Sequence, residues 1–328
     1  MMKKIIFAIM AVVAMVACSN DEVILQAANE AIGFSDTFVD NSTRSVKDPS
    51  YVNTNEGIFP DFAVYGFVEG QILFNGTTVS KSIENDELSS AWKYTGTQYW
   101  IDGANYNFSA IAPVTGKNWS ATATTAANTK LSFTNNGEQD MVYAQTNTIP
   151  GKATGNSAVS FSFRHTLSKV KFSFKNSYNA PNTTIRVRNI TITDAYSSAT
   201  VTLTVDTTVW SEQSNETPLV LNFGNATVAS ADALEAFAYN TEAESYYERL
   251  LIPHSTARDY AVTYSYDILV NGAVVKSFDK GGTVKDFAPE AGHAYDIFTT
   301  ITPGEAIEFT VNDVTGITGW ENGTNPTM

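Results

Sequence analysis

The sequence predicts an all-β protein made of two successive antiparallel β-sandwiches. Short segments in which apolar and polar residues alternate recur along most of the chain, and the helical spacing of apolar residues is almost absent. Charged residues make up only 16% of the chain, and Ser, Thr and Asn fill most polar positions, as in extracellular β-proteins. Roughly 310 residues follow the N-terminal signal described below, which is enough for two domains with their own cores.

The first half of the chain contains strand candidates at residues 62–67, 106–110 and 141–144. Between Val159 and Phe163 the apolar residues alternate with serines. A period of two predicts one buried and one solvated face, which is usual for strands of an antiparallel sandwich.

The apolar pattern changes phase at two places. It lies on odd positions in residues 163–167 and on even positions in residues 170–174, which predicts a bulge or a bend near Ser168. The same shift separates residues 185–187 from residues 190–192.

The second half contains the clearest hairpin. Residues 262–270 alternate, Asn271-Gly272 favours the positive φ angles of a type I′ turn, and residues 273–278 form the returning strand. The other strand candidates of this half are residues 201–205, 219–223, 250–252, 294–301 and 307–311, and a helix is predicted at 229–238. The polar stretch at 175–183 interrupts the strand pattern, so we place the domain boundary there.

The N-terminus has the pattern of a bacterial lipoprotein signal. A Lys-Lys pair precedes an unbroken apolar run at residues 5–17, and Cys18 follows directly. The run is shorter than the ~20 residues of a membrane-spanning helix, so we predict that it is removed as a signal peptide and that Cys18 is acylated, for example with palmitate. The alternative is that Cys18 is a small apolar residue at the end of an ordinary signal peptide. The acidic residues 19–22 resemble signals that send lipoproteins to the cell outer membrane, exposed on its surface.

Composition argues against several classes of function. The net charge of −14 and the pI near 4.6 argue against nucleic acid or an anionic membrane surface as a partner. Cys18 is the only cysteine and the three histidines are scattered, so we expect no intrachain disulfide, no metal site and no cofactor. The absence of a nucleophile elbow and of a phosphate-binding loop predicts a non-enzymatic protein. A secreted glycoside hydrolase stays an alternative, because a pair of catalytic carboxylates has no fixed sequence spacing.

Aromatic residues crowd into one stretch of the first half, at Trp92, Tyr94, Tyr99, Trp100 and Tyr106. Such rings pack a core and its rim, or they stack on sugar rings. Core packing is the simpler interpretation. The alternative makes Trp92, Tyr99 and Trp100 a glycan-contact patch on a permanently lipid-anchored surface protein.

A strand-like segment at residues 31–39 precedes a polar loop at residues 40–45. Arg44 in this loop is the first basic residue after the signal peptide. Proteolysis concentrates in exposed polar loops, so Arg44 is a candidate site for an Arg-specific protease. From spacing alone, a plain loop arginine is the simpler interpretation.

The order of these features resembles the fimbrillin (Mfa-like) family of type V pilus proteins from anaerobic gut and oral bacteria. Its most specific element is the segment Phe-Ser-Phe-Arg-His-Thr-Leu-Ser-Lys-Val-Lys-Phe at residues 161–172. The features that accompany it along the whole chain are Cys18, the strand around 32–38, the Thr43-Arg44 loop and Gly319-Trp320. The resemblance implies two transthyretin-like β-sandwiches, export as a lipoprotein, and cleavage after an arginine by a trypsin-like protease, here between Arg44 and Ser45.

With this resemblance the chain divides into four parts, which are a signal peptide at 1–17, a propeptide at 18–44, a first sandwich at 45–180 and a second sandwich at 181–328. The propeptide then carries a removable first strand with Ile32, Phe34 and Phe38. Its loss exposes an edge that a strand from another subunit fills by β-strand addition, and the candidate donors are residues 306–311 and 315–320. The expected partners are other fimbrial subunits, the outer membrane through the lipid on Cys18 before maturation, and a host or bacterial glycan or protein receptor.

Overall fold

The computed structural model describes residues 30–35, 38–39, 61–84, 87–152, 154–178, 180–228, 248–302, 309–313 and 321–322. These residues form strands, turns and loops without a helix, which confirms the all-β prediction. None of them lies in a helix long and apolar enough to cross a bilayer. The signal peptide at 1–17 and the helix predicted at 229–238 lie outside the described residues.

The strands of the first half fall between Phe38 and Asn176. They are β1 (Phe38–Val39), β2 (Asp61–Val68), β3 (Gln71–Glu84), β4 (Glu87–Lys93), β5 (Asn105–Ala112), β6 (Trp119–Thr124), β7 (Thr129–Thr134), β8 (Val142–Gln145), β9 (Ile149–Pro150), β10 (Ser162–His165) and β11 (Ser168–Asn176). The strands of the second half are β12 (Thr183–Ala195), β13 (Ser198–Leu203), β14 (Thr208–Ser214), β15 (Leu219–Val228), β16 (Glu248–Leu251), β17 (Arg258–Val270), β18 (Ala273–Phe287), β19 (His293–Ile301), β20 (Phe309–Asp313) and β21 (Glu321–Asn322).

These strands form four sheets. Sheet I has the order β1-β10-β8-β5-β2-β3-β4, with β9 beside β5, and sheet II has the order β14-β13-β7-β6. Sheet III has the order β15-β12-β17-β18, and sheet IV has the order β16-β11-β19-β20, with β21 also beside β19. Most neighbouring strands are antiparallel, and the long parallel pair is β11 with β19.

Three apolar cores hold the sheets together. Core 1 lies on one face of sheet I and includes residues of the N-terminal segment. Core 2 combines the opposite face of sheet I with residues of sheet II and sheet IV. Core 3 is built from residues of sheets III and IV, as expected of a β-sandwich.

Strand β2 corrects the expectation of one buried and one solvated face. Phe62 and Val64 belong to core 1, whereas Ala63, Tyr65 and Phe67 belong to core 2. Both faces of this strand are therefore buried, because sheet I has a core on each side. The alternation between Val159 and Phe163 does hold, since Ser160 and Ser162 are exposed.

The β13–β14 hairpin connects the two halves of the chain. It follows β12 in the sequence, but β13 pairs with β7 along Ser198–Leu203 and so belongs to sheet II. Core 2 accordingly receives Val201 and Leu203 from this hairpin. Sheet II thus draws strands from both sides of residue 180, and the domain limits proposed from the sequence stay predictions.

The two phase changes mark irregularities of the backbone, as predicted. Near Ser168 the chain leaves β10 in sheet I and enters β11 in sheet IV. In β12 the register shifts between Arg188 and Thr191, and Asn189 has a φ of 55°. The predicted hairpin is also confirmed, because β17 and β18 meet at Asn271 and Gly272, whose φ angles are 51° and 79°.

Candidate functional site: the slot that holds residues 30–39

The N-terminal segment, described at residues 30–35 and 38–39 and called the plug below, lies between two neighbours on the edge of sheet I. On one side Ala31 forms an antiparallel bridge with Tyr99. On the other side Phe34 forms a parallel bridge with Val159, and β1 continues this parallel pairing along β10. The plug is therefore paired into the sheet and not detached from it.

Backbone hydrogen bonds fix the plug to both neighbours. The amide of Ile32 donates to Gln98 at 2.8 Å, and the amide of Trp100 donates to Glu30 at 3.0 Å. On the β10 side, the amide of Ser35 donates to Val159 at 3.0 Å, and the amide of Val159 donates to Gly33 at 2.8 Å. If the plug left, the backbone groups of Gln98, Trp100 and Val159 would lose the hydrogen bonds that they make to it. A sheet edge with such free backbone groups recruits another strand.

Two plug side chains enter core 1. Ile32 is 1% exposed and Phe34 is 7% exposed. The Phe34 ring contacts five aromatic rings with centroid distances between 5.6 and 6.4 Å, and these rings belong to Phe62, Phe74, Tyr94, Phe108 and Phe161. Burial of each of the two side chains stabilises the intact fold by about 1.5–3 kcal/mol.

We call the space that these two side chains occupy the slot. Its two pockets hold the side chains of Ile32 and Phe34, which are two residues apart on the same face of an extended segment. The slot therefore accepts a segment in which an apolar residue, a small residue and an aromatic residue follow one another. Gly66 in β2 lets the aromatic walls approach, because a Cβ at this position would lie 2.6 Å from the Phe74 ring. The hydroxyl of Tyr94 donates to the carbonyl of Ile32 at 2.7 Å, and burial raises the pKa of Tyr94, which keeps this hydroxyl protonated.

The structure places only part of the predicted site. Ile32 and Phe34 meet in the slot, and the backbone of Phe38 in β1 pairs with Ser162 in β10. Cys18, Arg44 and Ser45 lie outside the described residues. Of the two donor candidates, residues 315–320 and 306–308 also lie outside them, whereas residues 309–311 belong to β20, which pairs with β19 of the same chain.

The proposed glycan-contact residues are mostly buried. Trp92 is 9% exposed and Trp100 is 1% exposed, whereas Tyr99 is 52% exposed. The centroid of the Trp92 ring lies 4.9 Å from that of Phe62, and the centroid of the Trp100 ring lies 4.7 Å from that of Tyr106. Both indole rings therefore pack core 1, and among the three only Tyr99 presents its ring to solvent.

The sequence reasoning missed several groups that complete the site. Gln98 and Val159 supply the backbone that pairs with the plug, and the alternation after Val159 is the signal that could have revealed it. His165 is also buried, and its Nδ1 contacts the carboxylate of Asp140. Among the described residues no group of His, Cys, Asp and Glu side chains is arranged to hold a metal ion.

Comparison with known proteins adds one family and several distant structures. The sequence model of a family described as fimbrillin-like matches residues 43–320. No curated protein matches the sequence. Among solved structures, the chain is similar to a candidate cell adhesion protein from Bacteroides uniformis, with 16% identity, a TM-score of 0.46 and coverage of 88% of this chain and 98% of that chain. It is also similar to a fimbrial assembly protein from Parabacteroides distasonis, with 11% identity, a TM-score of 0.40 and coverage of 80% and 90%.

Proposed function

The chain belongs to the fimbrillin-like family, and on this premise we propose that it is a structural or adhesive subunit of surface fimbriae that assembles by β-strand exchange. Membership of this family agrees with the prediction of a structural protein and not an enzyme. The two tandem sandwiches with transthyretin-like topology are part of this proposal.

The observation that carries the proposal is the seating of the plug in the slot. Ile32 and Phe34 are buried in core 1, and the backbone of the plug is hydrogen-bonded on both sides. A segment held in this way can be replaced only by another strand that offers similar side chains and the same backbone bonds. Strand addition from a neighbouring subunit meets both requirements.

The maturation step follows from the position of the plug in the chain. We propose export as a lipoprotein with an acyl group on Cys18, followed by a cut between Arg44 and Ser45. Because the plug precedes Arg44, one cut separates it covalently from β2 and from every later strand. The protein would then be free of its lipid anchor and would carry an open slot.

The donor strand has to come from another copy or another subunit type. Residues 306–311 are the less favourable donor, because β20 pairs with β19 and the Phe309 ring packs 5.7 Å from Phe172. Release of this strand would expose part of core 3. Residues 315–320 are therefore the preferred donor in this proposal. Repetition of one head-to-tail contact produces a filament and not a closed ring.

An Arg44→Ala substitution tests the proposal in cells. The variant should accumulate as a full-length lipidated monomer that begins at Cys18, whereas the natural chain should begin at Ser45 and enter surface filaments. Lys47→Ala is the matched control, because it removes a neighbouring basic residue without touching the proposed cut. Normal filaments from Arg44→Ala would contradict the proposal, and N-terminal sequencing together with electron microscopy of shed material gives the answer.

The same sequencing separates this proposal from a permanently anchored glycan-binding lipoprotein. Such a protein should keep its N-terminus at acylated Cys18. The burial of Trp92 and Trp100 gives this alternative no support, because buried ring faces do not stack on sugars.

A further inference from the structure

Val159 and Phe161 form one wall of the slot, and strand β10 continues this segment. It spans Ser162–His165 and pairs with β1 on one side. On the other side only Arg164 and His165 pair with β8 among the described residues. When the plug leaves, β10 becomes the edge of sheet I and loses the β1 pairing. The contacts that do not involve the plug then have to keep β10 in position.

Arg164 provides an additional attachment that does not involve the plug. Neighbouring side chains of a strand point to opposite faces, so Phe163 enters core 1 while Arg164 lies on the other face. Its guanidinium donates to three carbonyls of the turn between β13 and β14. The distances are 2.5 Å to Thr204, 2.6 Å to Val205 and 2.9 Å to Thr207.

The Arg164 side chain also packs on the ring of Tyr143 in β8. The guanidinium carbon lies 5.5 Å from the centroid of the Tyr143 ring, which is a cation–π distance. Two residues further on, the Thr166 hydroxyl donates to the carbonyl of Met141 at 2.6 Å, and the Thr166 carbonyl accepts from the Trp210 indole at 2.7 Å. The C-terminal end of β10 is thus fastened to the β13–β14 hairpin and to the segment that precedes β8.

We propose that Arg164 is a positioning residue that holds β10 in place while the slot is empty, so that the slot keeps its shape between departure of the plug and arrival of the donor. The hairpin of residues 198–214 supplies the carbonyls that fix the Arg164 guanidinium. A slot that is already formed binds a strand at a lower entropic cost than one that must first be rebuilt. This inference rests on the proposed function and assigns a role to Arg164, the arginine of the segment at residues 161–172.

The test uses the full chain with an engineered protease site after Arg44, cleaved in the folded state and freed of its plug. A fluorescent peptide with the sequence of residues 30–44 is then added, and its association rate constant is measured. Arg164→Gln keeps a polar side chain but removes the charge and the three bonds. Arg164→Lys keeps the charge and loses the forked geometry. The matched control is Arg186→Gln, which removes an arginine paired with Asp267 in sheet III, far from the slot in the strand order.

We expect Arg164→Gln to slow peptide association by about tenfold or more and Arg164→Lys to slow it less, with no change in Arg186→Gln. In the uncleaved proteins, where the plug supports β10, hydrogen exchange of the β10 amides should be the same in all variants. This second measurement separates a poorly folded variant from one that fails only when the slot is empty.

Equal association rates in Arg164→Gln and Arg186→Gln would overturn the inference and leave strand exchange intact. Rapid exchange at β10 in uncleaved Arg164→Gln would also overturn it, because Arg164 would then be needed for the fold in general. If the peptide binds none of the cleaved proteins, including the natural sequence, strand exchange itself fails and this inference fails with it.

Discussion

Asp267 shows how single polar residues tie the strands of sheet III. Its buried carboxylate accepts hydrogen bonds from Arg188 and Arg186 of β12 and from Ser277 of β18. The hydrogen bond from Arg188, together with those from Arg186 and Ser277, holds the pKa of Asp267 well below its ordinary value. The ionised form is thus favoured in the folded state.

The sign of this shift predicts a pH dependence of stability. A carboxylate whose pKa is lowered by folding contributes stability that is complete above its ordinary pKa of 3.8 and is lost as the pH falls below that value. Asp267→Asn should therefore unfold at lower urea concentration than the natural chain at pH 7, and the difference should shrink at pH 3. Asp206→Asn, in the exposed turn after β13, is the control and should show little effect at either pH. A constant difference for Asp267→Asn across this range would contradict the argument.

Residue identities predicted the turn at Asn271-Gly272, which the structure has, because such a turn is a local signal. The apolar character of Ile32 and Phe34 is also visible in the sequence, but their burial in core 1 is a tertiary feature. The aromatic stretch was ambiguous because a Trp suits both a core and a sugar-binding surface. Only the tertiary fold decides that Trp92 and Trp100 face core 1 while Tyr99 faces solvent.

At the scale of elements, the plug is the segment whose energetics matter most. Phe34→Ala in the intact chain should lower the free energy of unfolding by about 3–5 kcal/mol, because it removes a buried ring from among five others. Tyr99→Ala, in the segment bridged to the plug, should cost less than about 1 kcal/mol, because the Tyr99 ring is exposed. Urea unfolding of both variants measures the difference. Equal effects would show that the slot is not the stabilising pocket that the geometry indicates.

Some properties of the strands follow from the sequence, and others depend on partners that are distant along the chain. The prediction of one solvated face was wrong for residues 62–67, because this run is apolar without interruption and β2 is buried on both faces. The phase change near Ser168 correctly located the passage from sheet I to sheet IV. The pairing of β13 with β7 was not predictable, because an alternating strand fits any sheet with an apolar face and the partner is distant in sequence.

At the scale of the whole molecule, the plug acts as a ligand that the chain carries with it. A ligand that binds only the folded protein raises its stability by mass action, by about 2.7 kcal/mol at a concentration of 100 times Kd. The cleaved protein without its plug should therefore melt at a lower temperature than the uncleaved chain. Added peptide of residues 30–44 should raise the melting temperature progressively with concentration.

Calorimetry of the cleaved protein checks this expectation. A peptide in which Ile32 and Phe34 are both replaced by Ser is the control, since it keeps the backbone bonds and loses the two buried side chains. A melting temperature that does not respond to the natural peptide would contradict strand exchange in the slot.

The plug runs side by side with β10 and with the segment from Gln98 to Trp100, so its hydrogen bonds are lateral to its own direction. A donor seated in the same way would be pulled along its length when a fibre is stretched. All of these hydrogen bonds would then bear the pulling force at the same time, in shear, and would not break one after another. A joint of this kind withstands the drag of flowing liquid without any covalent link between neighbouring molecules.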